Sequence, residues 1–160
     1  MTAKTSRTPA ADDTLSLRLT RDFDAPRALV FSMWARPEHM NRWSVPNGFT
    51  IPEAQMDFRP NGLWFCHMCA PDGTDHKVQG TYREIVTGER IVMTHAWLDE
   101  MGVPGPETMV TVTFADRGGG TRIVLHQTGF ASAASRDGHQ AGWSECLDKL
   151  RDMLATVSKQ

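Results

Sequence analysis

The stretch TRIVLHQTGFASAASRDGHQAGWSECLDKLRDML, residues 121–154, decides the fold. Up to Gln127 it alternates: Ile123, Leu125 and Gln127 lie on one side, Arg122, Val124 and His126 on the other, the period of a strand with one buried face. Beyond Gly129 the period lengthens to about 3.6, the spacing of a helix. His139, Trp143, Leu147, Leu150 and Leu154 then share one helical face. A strand leading into one long amphipathic helix predicts that a sheet buries its inner face against that helix.

Upstream the same two-residue period recurs. From Phe49 to Gln127, turn clusters at Arg59-Pro60-Asn61-Gly62, Pro71-Asp72-Gly73, Thr87-Gly88-Glu89 and Gly118-Gly119-Gly120 separate six strands. One face of these strands carries Trp64, Cys66 and Met68, then Val78, Gly80 and Tyr82, then Met93, His95 and Trp97, and then Val110, Val112 and Phe114. The loop with Gly102, Pro104, Gly105 and Pro106 is expected to be irregular. Nearer the N-terminus, Leu15, Leu17 and Leu19 alternate with polar residues as a first strand. Asp24-Ala25-Pro26 then supplies an acceptor for free amides and a proline to open a short helix bearing Leu29, Val30, Phe31, Met33 and Trp34. Pro37 starts a second one, with Met40 and Trp43, ended by Pro46-Asn47-Gly48. The predicted class is α+β: a curved antiparallel sheet of about seven strands wrapped around a long C-terminal helix, with two short helices after strand one. Residues 1–13 have no apolar periodicity and read as a disordered tail; residues 14–158 read as a single domain.

Composition narrows the partners. The 160 residues carry 17 basic and 19 acidic side chains, a net charge of −2, dispersed along the chain. Nucleic acid and anionic membranes are therefore not expected. No apolar run approaches the roughly 20 residues of a membrane span and no secretory pattern opens the chain, so the expected location is the cytoplasm. Cys66, Cys69 and Cys146 are expected as free thiols.

Several motifs then stand in a characteristic order: Ala25-Pro26-Arg27 with Val30-Phe31, Trp43 before Pro46, Gly62 with Trp64, Pro71-Asp72-Gly73, Gly80-Thr81-Tyr82-Arg83-Glu84-Ile85, Glu89-Arg90-Ile91-Val92, Gly119-Gly120-Thr121-Arg122, and His139 with Gly142-Trp143. In this order they resemble the START-like, or SRPBCC, helix-grip superfamily, and within it the homologues of the activator of the 90-kDa heat-shock-protein ATPase. The resemblance runs from about Leu15 to Leu154. It implies a cavity between sheet and terminal helix, and a ligand-binding, stress or sensing role. The sequence departs from the branch pattern at Leu63, where a second glycine is common, and at Gln127, where a histidine is common.

The chemistry-bearing residues are sparse. Cys66-His67-Met68-Cys69 has the spacing of a zinc clamp, but side chains three apart on a strand diverge and no second ligand pair accompanies them, so no metal is expected. The serines lack the strained turn of a nucleophile, and the triple glycine joins two strands rather than opening a helix, so neither a triad nor a phosphate cradle is expected. No catalytic residue and no cofactor is assigned. Trp43, Trp64, Trp97 and Trp143 on inward positions either fill a core or line a space too wide for leucine; together with the architecture that the resemblance implies, they favour an aromatic-lined pocket. Its expected lining is Trp43, Trp64, Met68, Tyr82, Met93, His95, Trp97, Val112, Gln127, His139 and Trp143. Gly142, in mid-helix, signals either close backbone approach or room for a ligand. The leading expectation is binding of a small apolar or aromatic molecule by a monomer or homodimer. The alternatives are a cyclase- or hydrolase-type enzyme working through His95, His139 or Tyr82, and a co-chaperone-like interaction module.

Overall fold

In the computed structural model, which describes residues 15–158, the chain runs β1 (Leu17–Phe23), α1 (Arg27–Ala35), α2 (Pro37–Trp43), β2 (Thr50–Met56), β3 (Leu63–Cys69), β4 (Asp75–Val86), β5 (Arg90–Leu98), β6 (Thr108–Arg117), β7 (Gly120–Thr128) and α3 (Ala133–Ser158). The expected tail over 1–13 lies outside the described residues. The seven strands form one antiparallel sheet in the order β1-β7-β6-β5-β4-β3-β2. β1 and β2 are neighbours in the strand sequence yet sit at opposite edges. The helices α1 and α2 carry the chain from one edge to the other, while hairpin connections join the strands that follow, tight at β4–β5 and β6–β7 and longest over residues 99–107 between β5 and β6.

Register keeps the apolar residues on the inner face. Tyr82 opposes Met93, after which a bulge places one extra residue of β4 before Glu84 opposes Val92. That insertion flips the parity of β4 and returns Ile85 to the inner face opposite Ile91. At the β2 edge the register shifts between Thr50 and Glu53, around Pro52, which has no amide hydrogen to give. Gly129, at φ 93°, is the left-handed joint at which β7 turns into α3. Ser132 then caps α3: its Oγ accepts the Ser135 amide at 3.1 Å.

The core lies at the C-terminal half of α3. Cys146, Leu147, Leu150, Met153 and Leu154 are buried there with Val110, Val112, Ile123 and Leu125 of β6 and β7 and with Val30, Phe31 and Trp34 of α1. Polar ties pin the same half: Arg21 to Asp148 at 2.6 Å, Lys149 Nζ to the Val45 carbonyl at 2.7 Å, and the Asn47 amide to Glu145 at 3.1 Å.

Two local expectations need correction. Asp24 does not cap α1; Pro26 occupies the cap position without a side-chain hydrogen bond, and its carbonyl accepts the Val30 amide at 3.1 Å. The segment with Gly102 and Pro104 is not irregular throughout. Leu98 and Pro104 form a β-bridge, Gly105 N donates to the Trp97 carbonyl at 2.8 Å, and the Asp99 carboxylate accepts both the Met101 and Val103 amides at 2.9 Å.

Candidate functional site

The N-terminal half of α3 stands off from the sheet. Between it and β2–β5 lies a cavity of about 440 Å³, partly open to solvent. Strand parity builds one wall: Trp64, Cys66 and Met68 on β3, Val78 and Tyr82 on β4, and Met93, His95 and Trp97 on β5. Opposite, helical spacing brings Ser135, Gly138, His139, Gly142, Trp143 and Cys146 of α3 to one face. Met40, Asn41 and Ser44 of α2, followed by Pro46 and Phe49, close one end with Ala54, Gln55 and Met56 of β2. The lining contains no Asp, Glu, Lys or Arg.

The space exists because one stripe of α3 is small. Gly138, Gly142 and Cys146 recur every fourth residue, and a Cβ built on either glycine would meet no atom within 4 Å. Of the two readings of Gly142, the structure gives room rather than close approach.

Hydrogen bonds fix the rim and floor. His139 Nε2 accepts the Trp97 indole N–H at 2.8 Å, so Nδ1 carries the hydrogen and donates to the Ser135 carbonyl at 2.7 Å. Trp143 Nε1 donates to Gln127 Oε1 at 2.8 Å, Gln127 Nε2 to Thr108 Oγ1 at 2.8 Å, and Thr108 Oγ1 to the His95 carbonyl at 3.2 Å, a relay from helix to β5. The His95 ring sits among Trp64, Trp97 and His139, with centroids 5.7, 5.5 and 5.6 Å away. Burial, and secondarily His139, pushes its pKa down to about 3, so the ring is neutral at physiological pH. Burial raises the Tyr82 hydroxyl well above its ordinary value, and pushes the Cys66 and Cys146 thiols up to about 11 and about 12.

Of the residues expected to line a pocket, Trp64, Met68, Tyr82, Met93, His95, Trp97, His139 and Trp143 meet around this cavity. Trp43, Val112 and Gln127 do not. Trp43 turns away from it onto α1, its ring 4.5 Å from Trp34 and its N–H bonded to the Met33 carbonyl at 3.0 Å. Val112 lies on β6, covered by the packed half of the structure. Gln127 is fully buried behind Trp143, as its partner rather than as a wall. Gly80 is not a wall with space in front of it either. The Trp64 indole crosses it to reach the Thr94 carbonyl at 3.2 Å, and a Cβ there would overlap that carbonyl. Cys66 faces the cavity, whereas Cys69 Sγ donates to the Ala70 carbonyl at 3.6 Å. Among the described residues no three His, Cys, Asp or Glu side chains cluster as metal ligands.

The site residues missed in the sequence are mostly small or on α2 and β2. Gly138 and Cys146 share the helical stripe of Gly142, a pattern that a search for apolar periodicity passes over. Met40 lies one turn before Trp43 on α2, and it is Met40 that reaches the cavity.

A seven-stranded antiparallel sheet gripping a long C-terminal helix across a cavity defines the helix-grip, or START-like, class, a fold suited in general to binding ligands. The chain belongs to the Activator of Hsp90 ATPase homolog 1-like protein family, whose model matches residues 24–155. No curated protein matches the chain. Among solved structures, a protein from Chromobacterium violaceum superposes with a TM-score of 0.80 at 27% identity, over 88% of this chain and 96% of that one. An AHSA1 protein from Silicibacter pomeroyi gives 0.80 at 26% identity over 88% and 98%, and a protein from Rhizobium leguminosarum 0.78 at 26% over 88% and 94%. No described helix is long and apolar enough to cross a membrane.

Proposed function

We propose that this protein binds a small, largely apolar or aromatic molecule in the cavity between the sheet and α3, in a stress or sensing role, with residues 14–158 acting as one binding domain. The observation that carries the reading is a cavity of about 440 Å³ lined mainly by aromatic and aliphatic side chains, with no Asp, Glu, Lys or Arg among them. That size lies within the roughly 300–1,000 Å³ of small-molecule sites, where apolar burial supplies affinity and a few polar groups set orientation. One chain supplies the whole lining, so binding needs no second copy, whether the protein is a monomer or a homodimer. Three free thiols suit a reducing, cytoplasmic setting.

Binding is favoured over turnover by the state of the candidate acid–base groups. His95, with its pKa down at about 3, is too weak a base for neutral-pH proton abstraction, and both His139 nitrogens are engaged. No carboxylate lines the cavity to orient or recharge either ring.

The test is titration with a neutral naphthylamine dye. Trp64, Trp97 and Trp143 line the site, so saturable quenching of tryptophan emission is expected in the parent. Gly142→Leu, which fills the open space, is expected to abolish it in a folded protein. No saturable binding in the parent, or unchanged binding in Gly142→Leu, refutes the reading.

A further inference from the structure

Which molecules the cavity accepts follows from its polar groups, and the inference rests on reading the cavity as a binding site. Several of the polar groups around it already have partners. The Trp97, Trp143 and Trp64 indole N–H groups and both His139 nitrogens are hydrogen-bonded within the chain. Glu145 and Lys149, charged residues of the same helix, are directed to the Asn47 amide and the Val45 carbonyl.

Asn41, Ser44, Gln55, His76 and Ser135 also line it, half-buried or exposed, and two further polar groups lie deeper. The Tyr82 hydroxyl and the His95 ring line the cavity, on residues only 3% and 9% exposed; among the described residues no other residue hydrogen-bonds to either, and the His95 ring meets only its own backbone. Tyr82 opposes Met93, two residues from His95 on the same face of β5. The two are thus diagonal neighbours, roughly 7–8 Å apart at the backbone. A phenol and a neutral imidazole each donate and accept one proton, and deeply buried groups of this kind are normally satisfied. With no Lys or Arg on the walls and the buried His95 ring held neutral, a carboxylate seated against Tyr82 and His95 would go uncompensated.

We infer that the cavity selects an uncharged aromatic molecule bearing one hydroxyl-type group, held by hydrogen bonds to Tyr82 and His95, and excludes the same skeleton carrying a carboxylate. Tyr82 and His95 supply the missing partners for one group that both donates and accepts. The aromatic remainder lies against Trp64, Trp97 and Trp143.

Equilibrium dialysis of the full chain near neutral pH against naphthalene, 2-naphthol and 2-naphthoate tests this. 2-Naphthol is expected to bind about fivefold or more tighter than naphthalene, the worth of one or two hydrogen bonds. 2-Naphthoate is expected to bind about a hundredfold or more weaker than 2-naphthol. Tyr82→Phe and His95→Leu should each lower 2-naphthol affinity by about fivefold more than they change naphthalene affinity, a ligand-specific loss that a merely structural role would not produce. If naphthalene binds but the hydroxyl adds nothing, or naphthoate binds as tightly as naphthol, the selectivity is refuted and the cavity remains a binding site. If none of the three binds, both readings fail.

Discussion

Replacing Gly142 should stabilise this protein, and the sign of that effect separates an open cavity from a packed core. A Cβ at Gly142 meets nothing within 4 Å, and the residue lies inside a 26-residue helix without a left-handed φ. Glycine in a helix interior costs about 1 kcal/mol relative to alanine, so Gly142→Ala should gain about 1 kcal/mol. Leucine recovers most of that propensity. Burying part of its side chain against Trp143 and the β5 wall adds on the order of 1 kcal/mol, since full burial of a leucine is worth about 1.5–3 kcal/mol. For a domain of this size each kcal/mol moves Tm by about 2–4 °C, so Gly142→Ala should raise it by about 3 °C and Gly142→Leu by about 3–8 °C. Thermal unfolding followed by circular dichroism, with and without the naphthylamine dye, is the assay. The dye should raise the Tm of the parent and of Gly142→Ala but not that of Gly142→Leu. A close-packed interior would instead make Gly142→Leu cost roughly 1–3 kcal/mol by overpacking. A Tm lowered by several degrees in Gly142→Leu would therefore refute the cavity.

Stability should also depend on His95. Its folded pKa is depressed to about 3 against an ordinary 6.5, so below 6.5 the unfolded chain takes up a proton that the folded one refuses. Stability is full above that value and falls as pH drops, by about 2 kcal/mol near pH 5. Denaturant titration across this range should show the slope, and His95→Leu should lose most of it. Gln127→Leu breaks two buried hydrogen bonds and strands the Trp143 indole N–H, for a loss of about 2–3 kcal/mol by urea unfolding. The Cys66 and Cys146 thiols, raised to about 11 and about 12, should resist iodoacetamide near pH 8 until denaturant is added, as mass spectrometry of the alkylated chain would show.

The fold was legible because two periodicities do the work of two layers. Alternation in β3 to β7 fixed which side chains face inward, and the change of period after Gly129 marked the helix that covers them. Inwardness does not say how far across the sheet a residue lies from the cavity. Val112 and Gln127 face inward like Met93 and His95, yet Val112 sits under the packed half of α3 and Gln127 behind the Trp143 indole, whereas β3 to β5 face the space under the half that stands away. Trp43 was misplaced for a related reason: its position on α2 faces inward, but its indole packs on Trp34 and bonds the Met33 carbonyl of α1 instead of the cavity. Gly80 illustrates what pattern cannot hold, since its lack of a side chain serves the crossing Trp64 ring rather than a ligand.

The division of α3 also gives that helix two levels of local stability. From Cys146 onward it is anchored by buried leucines and by ties to β1 and to the Val45–Asn47 segment. From Ala133 to Gly142 it is mostly exposed and carries Gly138 and Gly142, and His139 ties it to β5 through Trp97. Few buried contacts and poor helix formers mean low-energy opening, so amides of the first three turns should exchange with solvent deuterium far faster than those of the last three. Because that segment is also the roof of the cavity, opening it would widen the cavity's mouth while the anchored half keeps sheet and helix together.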